Sequence, residues 1–417
     1  MRSHHEGWGY IGHRLSLCGP AGGHEIPPAL SRWRLGRGDR SPLGLWFWEI
    51  DRVLLLLVTI LLSVGLIAVA AGSPAAAARY SGGNLVISPL AYFWKQLIWV
   101  ALGLPVMIGI SMLPQRMARR LALAGAAFFS VLLAFVPLIG NEVNGSTRWI
   151  GFGFAQFQPS EFLKPFFIVA LAWILSLKVH DRDLPVVPIT GLLTLIVAGL
   201  LMMQPDFGQT IVFCSVWMAL MLVSGMPMQT MGMLGGLGSV GIVAAYFLYP
   251  VAKTRINNFL FADGDTYQVD QAHATLTAGG LFGTGPGGGE KKFHLPEAHT
   301  DYIFSVIGEE FGLIACMAIA MLFLAIAVRV FVKLLDEEDA FLVYASAGLA
   351  TQFTVQAFIN IAVNVGLAPS KGMTLPFISY GGSSMIALSA GFGLLLAFTR
   401  KNPYLLRSPY VVKWSSR

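Results

Sequence analysis

The segment PEAHTDYIFSVIGEEFG places acid–base side chains at the entrance to a long apolar stretch. His299, Thr300 and Asp301 lead directly into that stretch, and two further acids, Glu309 and Glu310, lie inside it. Ionisable groups at membrane depth are unfavourable by roughly 3 kcal/mol or more unless they meet a partner or a wet cavity. A carboxylate at the polar end of such a helix can serve as a general base, although a first-turn acid can also simply stabilise the helix dipole.

A second polar block, NGSTRWIGFGFAQFQPSEFLK, carries a basic residue and a pair of opposite charges. The guanidinium of Arg148 suits a phosphate or carboxylate, and it also suits an anchor at the membrane interface. Ser160 is a candidate N-cap for the next helix. Glu161 and Lys164, three residues apart, are expected to pair on one helical face, with a role in lining a cavity as the alternative.

A run of side-chain amides recurs at intervals of four residues in a later apolar segment: Gln352, Gln356, Asn360 and Asn364. This spacing predicts a polar stripe along one face of a helix, which must face protein or water. Hydrogen bonding between helices and contact with substrate explain the stripe equally well.

Composition restricts the class of protein. The 417 residues have a mean hydropathy of +0.66 and only 12% charged residues, about half the fraction of an ordinary soluble domain. Basic residues fall mainly in short segments between apolar runs and at the termini, so no nucleic acid partner is expected. Three cysteines, two of them in apolar runs, indicate neither a disulfide framework nor a thiolate metal cluster. The GTGPGG match at 283–288 lacks a preceding strand and is interpreted as a flexible outer loop, not a dinucleotide site.

Apolar runs long enough to cross a bilayer predict an all-α polytopic integral membrane protein with about ten transmembrane helices. The predicted spans are 52–72, 93–113, 121–140, 162–178, 185–203, 208–225, 229–250, 302–332, 340–363 and 377–399.

The distribution of Lys and Arg predicts a cytoplasmic N-terminus. The three most polar loops, 141–160, 251–300 and 364–376, then emerge on the extracytoplasmic face, and 251–300 forms a large loop between helices 7 and 8. The predicted organisation is a disordered cytoplasmic tail at 1–48, a transmembrane domain at 49–405 and a cytoplasmic tail at 406–417.

Several blocks together resemble the SEDS (shape, elongation, division, sporulation) family of polytopic glycosyltransferases over about 45–405. Besides the two blocks above, they are QPDFG at 204–208, GGLFGTG at 279–285 and SKGMTLPFISYGGSS at 370–384. Within the family, Ala298 before the HTD triplet and the Lys371–Thr374 run are similar to the cell-division branch. The loop GPGGGEKKFHLPEAH departs from the usual family pattern, which leaves its contacts open.

The resemblance implies a peptidoglycan glycosyltransferase that polymerises lipid II by inverting transfer and releases undecaprenyl diphosphate. It implies that Asp301 is the catalytic base and that Arg148 and Lys371 bind the diphosphate or position the glycan. The other substrate-binding candidates are His299, Thr300, Ser379, Gln356 and Asn360. Residues expected to shape the cavity or orient helices are Glu161, Lys164, Asp206, Glu309 and Glu310.

The resemblance also implies partners and a place in the cell. A class B penicillin-binding transpeptidase and other division proteins are the expected partners, at the septum of a bacterial inner membrane. A divalent cation, Mg²⁺ or Mn²⁺, could neutralise the diphosphate, although no compact ligand cluster is visible. A lipid II flippase, another transporter and an inactive scaffold are the competing functions.

Overall fold

The computed structural model describes residues 42–82, 86–143, 146–151, 156–179, 181, 183–261, 267–370 and 372–400. Within these ranges the secondary-structure elements are all helical except for a hairpin of β1 (Asn141–Val143) and β2 (Ser146–Trp149), and loops connect them. Contacts divide the chain into a short unit that ends at Trp48 and a large unit from Glu49 onward. The short unit contains the helix α1 (Pro42–Glu49) except for its last residue.

Ten apolar helices of the large unit coincide with the ten predicted spans. They are α2 (Arg52–Tyr80), α3 (Ala91–Met112), α4 (Gln115–Ile139), α5 (Pro159–Leu177), α6 (Val186–Met203), α7 (Phe207–Val223), α8 (Met228–Leu248), α11 (Ile303–Leu334), α12 (Ala340–Asn364) and α13 (Gly382–Phe398). Eight of them are long and apolar enough to cross a membrane, and α7 and α13 are shorter apolar helices of 17 residues each. The predicted fold class, an all-α polytopic membrane protein, is confirmed.

Local sequence explains where several helices begin. The Asp51 carboxylate accepts backbone N–H groups at the start of α2, and Asp339 does the same for α12, which satisfies donors that a helix leaves free. Helix α5 begins with Pro159, whose missing N–H is harmless at the first helical position. The predicted N-cap role of Ser160 is wrong, because Gln158 precedes the helix and Ser160 already lies in its first turn.

Helix α5 is the most buried of the long apolar helices and packs against α4, α12 and α13. Helix α13 also packs along α3, where small residues permit a close approach. A Cβ atom added at Gly103 would lie 2.6 Å from the Ser389 hydroxyl oxygen, and one at Gly393 would lie 2.7 Å from the Met107 carbonyl oxygen. Helix α8 lies at the periphery, with Met231 as its one buried residue.

The segment between α8 and α11 contains two short helices, α9 (Pro250–Phe261) and α10 (Tyr267–Ala278), and a 3-10 turn at Lys291–Phe293. It docks onto a break in α11, where Gly312 has a φ of 80°. The N–H groups of Thr284 and Gly285 donate to the carbonyl oxygens of Glu309 and Glu310, at 2.9 and 3.0 Å.

Beyond the break, the N–H groups of Leu313 and Ile314 donate to the carbonyl oxygens of Gly280 and Leu281. The loop therefore satisfies backbone groups that the interrupted helix would leave bare, a condition for irregular backbone beside a membrane. The prediction of a flexible loop at 283–288 is wrong, because main-chain hydrogen bonds tie its first residues to α11.

Candidate active site

Asp301 lies in the turn that precedes Ile303, the first residue of α11. Its carbonyl oxygen accepts hydrogen bonds from the side-chain amides of Asn360 and Asn364, at 2.9 and 3.1 Å. The Asn364 amide oxygen accepts from the backbone N–H and the hydroxyl of Ser305, at 3.1 and 2.8 Å. Helix α12 thus fixes the backbone at Asp301 and at the start of α11.

The segment 372–379 is held against the same turn. Asn360 donates a second hydrogen bond, 2.6 Å long, to the carbonyl oxygen of Met373. The Ser379 hydroxyl donates to the carbonyl oxygen of Thr300 at 2.6 Å and accepts from the N–H of Leu375 at 2.8 Å. One asparagine and one serine therefore connect the HTD triplet to the loop before α13.

The two loops enclose a small cavity beside the Asp301 carboxyl group. Gly372 has a φ of 37°, which favours glycine, and an added Cβ atom would lie 3.4 Å from the Asp301 Oδ2, so this turn passes directly beside the carboxyl group. The Tyr302 hydroxyl donates to the Ser370 hydroxyl at 3.0 Å. Lys371, a predicted diphosphate ligand, lies outside the described residues. The cavity is lined by Asp301, Tyr302, Ile359, Asn360, Val363, Ser370, Gly372 and Met373.

The amide stripe of α12 contacts these loops as well as a neighbouring helix. Gln356 donates to the carbonyl oxygen of Thr374 at 3.1 Å and accepts from the Lys164 ammonium at 3.1 Å. Gln356, Asn360 and Ser379, predicted to bind substrate, use these polar atoms to hold the main chain around Asp301. Such bonds are those of positioning residues, and direct contact with substrate stays a prediction.

Burial raises the pKa of the Asp301 carboxyl group to about 7, and the negative charges of Glu297 and Glu161 act in the same direction. The positive charges of Arg255 and Arg148 act against them. A pKa near the working pH gives a carboxylate that both exists at neutral pH and accepts a proton readily. The electrostatics therefore suit Asp301 to general base catalysis.

His299 is enclosed by three tyrosine rings. Its imidazole centroid lies 4.4 Å from that of Tyr92, 5.3 Å from that of Tyr380 and 6.2 Å from that of Tyr80. Burial lowers the pKa of His299 to about 4, although Glu297 opposes this effect. The imidazole is therefore neutral at neutral pH and packs the HTD turn against α2 and α3.

Glu297 supports the same turn from a strained conformation, with a φ of 51° that non-glycine residues rarely adopt. Its carboxylate accepts hydrogen bonds from the Tyr80 hydroxyl at 2.9 Å and from the Thr300 hydroxyl at 2.6 Å. Backbone strain of this kind persists only where surrounding contacts enforce it, and it concentrates at functional sites. The Thr300 hydroxyl, a predicted substrate contact, is thus committed to Glu297.

Arg148 and Asp206 organise a neighbouring turn. The Arg148 guanidinium donates to the carbonyl oxygens of Gln204, at 3.0 Å, and of Pro205, and lies 3.9 Å from the Asp206 carboxylate. Asp206 also accepts from the Gln158 amide at 2.9 Å. The fork of Arg148 joins β2 to the turn between α6 and α7, and the predicted role of Asp206 in helix orientation agrees with these contacts.

Glu161 and Lys164 do not form the predicted ion pair with each other. Glu161 accepts a hydrogen bond from the Ser383 hydroxyl at 3.1 Å, and Lys164 donates to Gln356. Both side chains are buried and line a small cavity together with Gln352 and Gln356. Glu161 and Lys164 therefore bind polar groups on α13 and α12 and not each other, because the neighbouring helices also carry polar side chains.

Glu309 and Glu310 bind the loop that docks on α11. Glu309 accepts the backbone N–H groups of Lys291 and Lys292, at 2.6 and 2.9 Å. The Lys292 ammonium pairs with Glu310 and donates to the carbonyl oxygen of Ala71 at 3.1 Å. All these carboxylates and the ammonium are buried, so they connect the loop, α11 and α2 and lie apart from the Asp301 cavity.

Comparison with known proteins places this geometry in a family. Residues 51–404 match the model of the FtsW/RodA/SpoVE family, described as cell cycle protein. The chain belongs to this family.

Curated relatives and solved structures agree with the assignment. Probable peptidoglycan glycosyltransferase FtsW of Caulobacter vibrioides is 41% identical over 374 residues, covering 88% of this chain and 93% of the relative. The protein of the same name from Coxiella burnetii is 34% identical, over 85% and 98% of the two chains. The Thermus thermophilus rod shape determining protein RodA is similar with a TM-score of 0.63 and 28% identity, over 84% and 96% of the chains.

A further structure, from a study of the coordination of polymerization and crosslinking by a peptidoglycan synthase complex, matches with a TM-score of 0.67. It is 28% identical and covers 84% of this chain and 97% of its own. The resemblance to SEDS proteins seen in the sequence blocks is therefore confirmed, and this chain is a multi-pass membrane protein of the FtsW/RodA/SpoVE family.

Two residues that shape the site of this FtsW/RodA/SpoVE protein were not predicted: Glu297, in the PEAH motif two residues before His299, and Arg255 on α9. Asn364 was identified as the end of the amide stripe, but its contact with Asp301 was not predicted. The PEAH motif was visible in the sequence and could have indicated Glu297. Arg255 carried no local signal, because only the folded chain brings α9 near Asp301.

Asp301 is the carboxylate in the cavity lining that could contribute to a cation site. The described residues contain no group of three His, Cys, Asp or Glu side chains that could hold a metal ion. Magnesium in phosphate-binding sites is often held by one or two carboxylates together with substrate oxygens. Asp301 could hold such a cation with the diphosphate, and the cation would then supply charge neutralisation.

Proposed function

We propose that this protein is a peptidoglycan glycosyltransferase that polymerises lipid II on the extracytoplasmic face of the membrane. The names of its relatives and the geometry around Asp301 support this proposal. The observation that carries it is the Asp301 carboxyl group, which lines a cavity just before α11 on a backbone that two asparagines hold in place.

In the proposed reaction, Asp301 accepts the proton of the acceptor sugar 4-hydroxyl as that oxygen attacks the anomeric carbon of the donor. The new glycosidic bond forms with inversion while the bond to the diphosphate breaks, and undecaprenyl diphosphate leaves. Arg148 and Lys371 are the proposed stabilisers of the leaving diphosphate. Arg148 also holds the turn at 204–206 through its hydrogen bonds. In the proposal, this turn forms the wall of the site against which the diphosphate lies.

The same arrangement supports the proposed placement in the cell. Four non-helical segments lie at one end of the bundle: the HTD turn, the turn at 204–206, the hairpin of β1 and β2, and the segment 372–379. We place this end on the extracytoplasmic side of a bacterial inner membrane, at the division septum. A class B penicillin-binding transpeptidase and other division proteins are the proposed partners, in line with the synthase complex that the fold resembles.

A flippase would need a polar path from one membrane face to the other. The buried polar cluster of the site reaches inward to Glu161, Lys164 and Gln352. Beside this cluster, the described core contains rings in mutual contact, those of Phe323, Phe353, Phe377 and Phe392. The aromatic packing next to the polar cluster favours chemistry at one face over transport across the membrane.

The test is turnover of lipid II by the purified full-length protein, alone and with a candidate transpeptidase partner. Asp301→Asn, nearly isosteric and unable to act as a base, should abolish formation of glycan strands. Glu290→Gln, at an exposed acid in the preceding loop, is the matched control and should retain activity. Thermal unfolding in detergent verifies that both variants are folded. Strand formation by folded Asp301→Asn at the wild-type rate would contradict the proposal.

A further inference from the structure

A second cavity, of about 770 Å³, opens at the end of the bundle opposite to Asp301. It lies between the first residues of α4, the last residues of α5 and the start of α12. Asn360 and the cavity residue Ala340 are 20 residues apart on α12, a separation of about 30 Å along a helix. The volume falls within the range of roughly 300–1,000 Å³ that is typical of ligand sites. Its lining is Gln115, Arg116, Arg119, Trp173, Ser176, Leu177, Val179, Glu338, Asp339, Ala340, Phe341 and Leu342.

One side of this cavity is cationic. Arg116 is exposed and has no hydrogen bond or ion pair to another residue that the structure describes. Arg119 lies with its guanidinium carbon 5.3 Å from the centre of the Phe341 ring, which holds it at the rim. Pro114 precedes α4 and provides no side-chain cap. The first backbone N–H groups of α4 are therefore hydrogen-bond donors in addition to the two guanidinium groups.

Two acids, Glu338 and Asp339, also line this cavity. Asp339 directs one carboxylate oxygen at the backbone N–H groups of Phe341 and Leu342, at 2.9 and 3.4 Å. Glu338 beside it is exposed. The cavity lining therefore combines two positive groups with two negative groups, a pattern that a simple anion would not match.

Part of the cavity wall is apolar. Trp173 and Leu177 on α5 and Val179 just after it form this part. A ligand that fits this combination carries a phosphate, a nearby ammonium group and hydrocarbon chains.

We propose that this cavity binds a zwitterionic phospholipid headgroup of the phosphoethanolamine class. Its phosphate lies beside Arg116 and Arg119, its ammonium group lies beside Glu338 and Asp339, and its acyl chains lie against Trp173, Leu177 and Val179. Pockets with basic residues between transmembrane helices bind lipid headgroups by this chemistry. The inference depends on the chain spanning a membrane and is independent of the reaction proposed at Asp301.

Binding of short-chain lipids to the purified full-length protein in detergent tests the inference, with native mass spectrometry as the readout. Dioctanoyl phosphatidylethanolamine should bind more tightly than the phosphatidylglycerol of equal chain length. Arg116→Ala with Arg119→Ala should weaken its binding about tenfold or more, since charge-assisted bonds to phosphate are lost. Arg120→Ala removes a neighbouring exposed charge that does not line the cavity and should leave binding unchanged.

Further arms separate this headgroup from other ligands. Glu338→Gln should reduce the preference for phosphatidylethanolamine over phosphatidylglycerol, because the ammonium loses its acidic partner. Phosphoethanolamine without acyl chains should bind at least about tenfold more weakly than the lipid, because the apolar contacts are lost. If the double variant fails to fold, the single substitution Arg116→Ala, at an exposed position, gives the same comparison. Equal binding of both lipids to the wild type, or wild-type binding by the arginine variants, would overturn the inference.

Discussion

The side-chain amide of Asn360 lies 2.9 Å from the carbonyl oxygen of Asp301 and 2.6 Å from that of Met373. A single group on α12 therefore sets the distance between the HTD turn and the loop before α13. The carboxyl group of Asp301 projects from the backbone that this contact holds in place. Its alignment with a sugar hydroxyl thus depends on a residue that need not touch the sugar.

Asn360→Ala should lower the polymerisation rate by about 10- to 100-fold, because a displacement of the base by about 1 Å can have an effect of that size. The effect should fall on kcat more than on KM, since the interaction orients the base and does not hold substrate. Steady-state kinetics with lipid II measure both constants. Thr354→Ala, at a half-buried polar residue of the same helix, is the control. A change in KM alone would assign Asn360 to substrate binding.

The rate should rise with pH through a limb near pH 7, because Asp301 acts as a base only when it is unprotonated and its pKa is about 7. Arg255 stabilises the carboxylate and so holds this pKa down. Arg255→Gln removes that positive charge, raises the pKa of Asp301 further and should move the acidic limb to higher pH. Lys253→Gln, at an exposed residue of α9, should leave the limb in place. The pH–rate profiles of the three proteins decide the matter, and a shift to lower pH in Arg255→Gln would contradict the assignment.

Gly312→Ala should destabilise the protein strongly, for two reasons. The φ of 80° strains any side chain, and a Cβ atom there would lie 2.4 Å from both the N atom of Gly283 and the carbonyl oxygen of Leu281. Gly366→Ala shares the strain, with a φ of 76°, and has open space around it. Thermal unfolding should show a small loss for Gly366→Ala, about 1 kcal/mol, and a clearly larger one for Gly312→Ala. Equal losses would mean that the loop at 279–285 does not pack tightly on α11.

The sequence predicted the ten apolar helices because each is a long apolar run, and a bilayer requires such runs to be helical. It did not predict the break at Gly312, since the apolar pattern of α11 continues on both sides of the break. The tertiary partners of Glu161 and Lys164 were also hidden, because spacing along α5 says nothing about Ser383 or Gln356. The predicted domain boundaries, the role of Lys371 and the substrate contacts stay predictions.

Sidedness tests whether Asp301 can reach lipid II outside the cell. The described loops suggest suitable reporter positions, because they show which side chains are accessible. Glu290 and Leu367 are exposed at the end of the bundle that contains Asp301, whereas Val179 and Glu338 are exposed at the opposite end. Positive-inside orientation predicts that the first two are extracytoplasmic and the last two cytoplasmic.

Single cysteines at these four positions, in a variant without Cys18, Cys214 and Cys316, would be treated with a membrane-impermeant thiol reagent. In cells whose outer barrier is opened, we expect labelling at 290 and 367, and labelling at 179 and 338 only after lysis. The variant without cysteines controls for labelling of other proteins and must retain polymerisation. The result at 290 matters most, because the loop that contains it also carries Lys291 and Lys292, against the positive-inside tendency. Protection at 290 and 367 in intact cells would place Asp301 on the cytoplasmic side, where it could not act on lipid II presented outside.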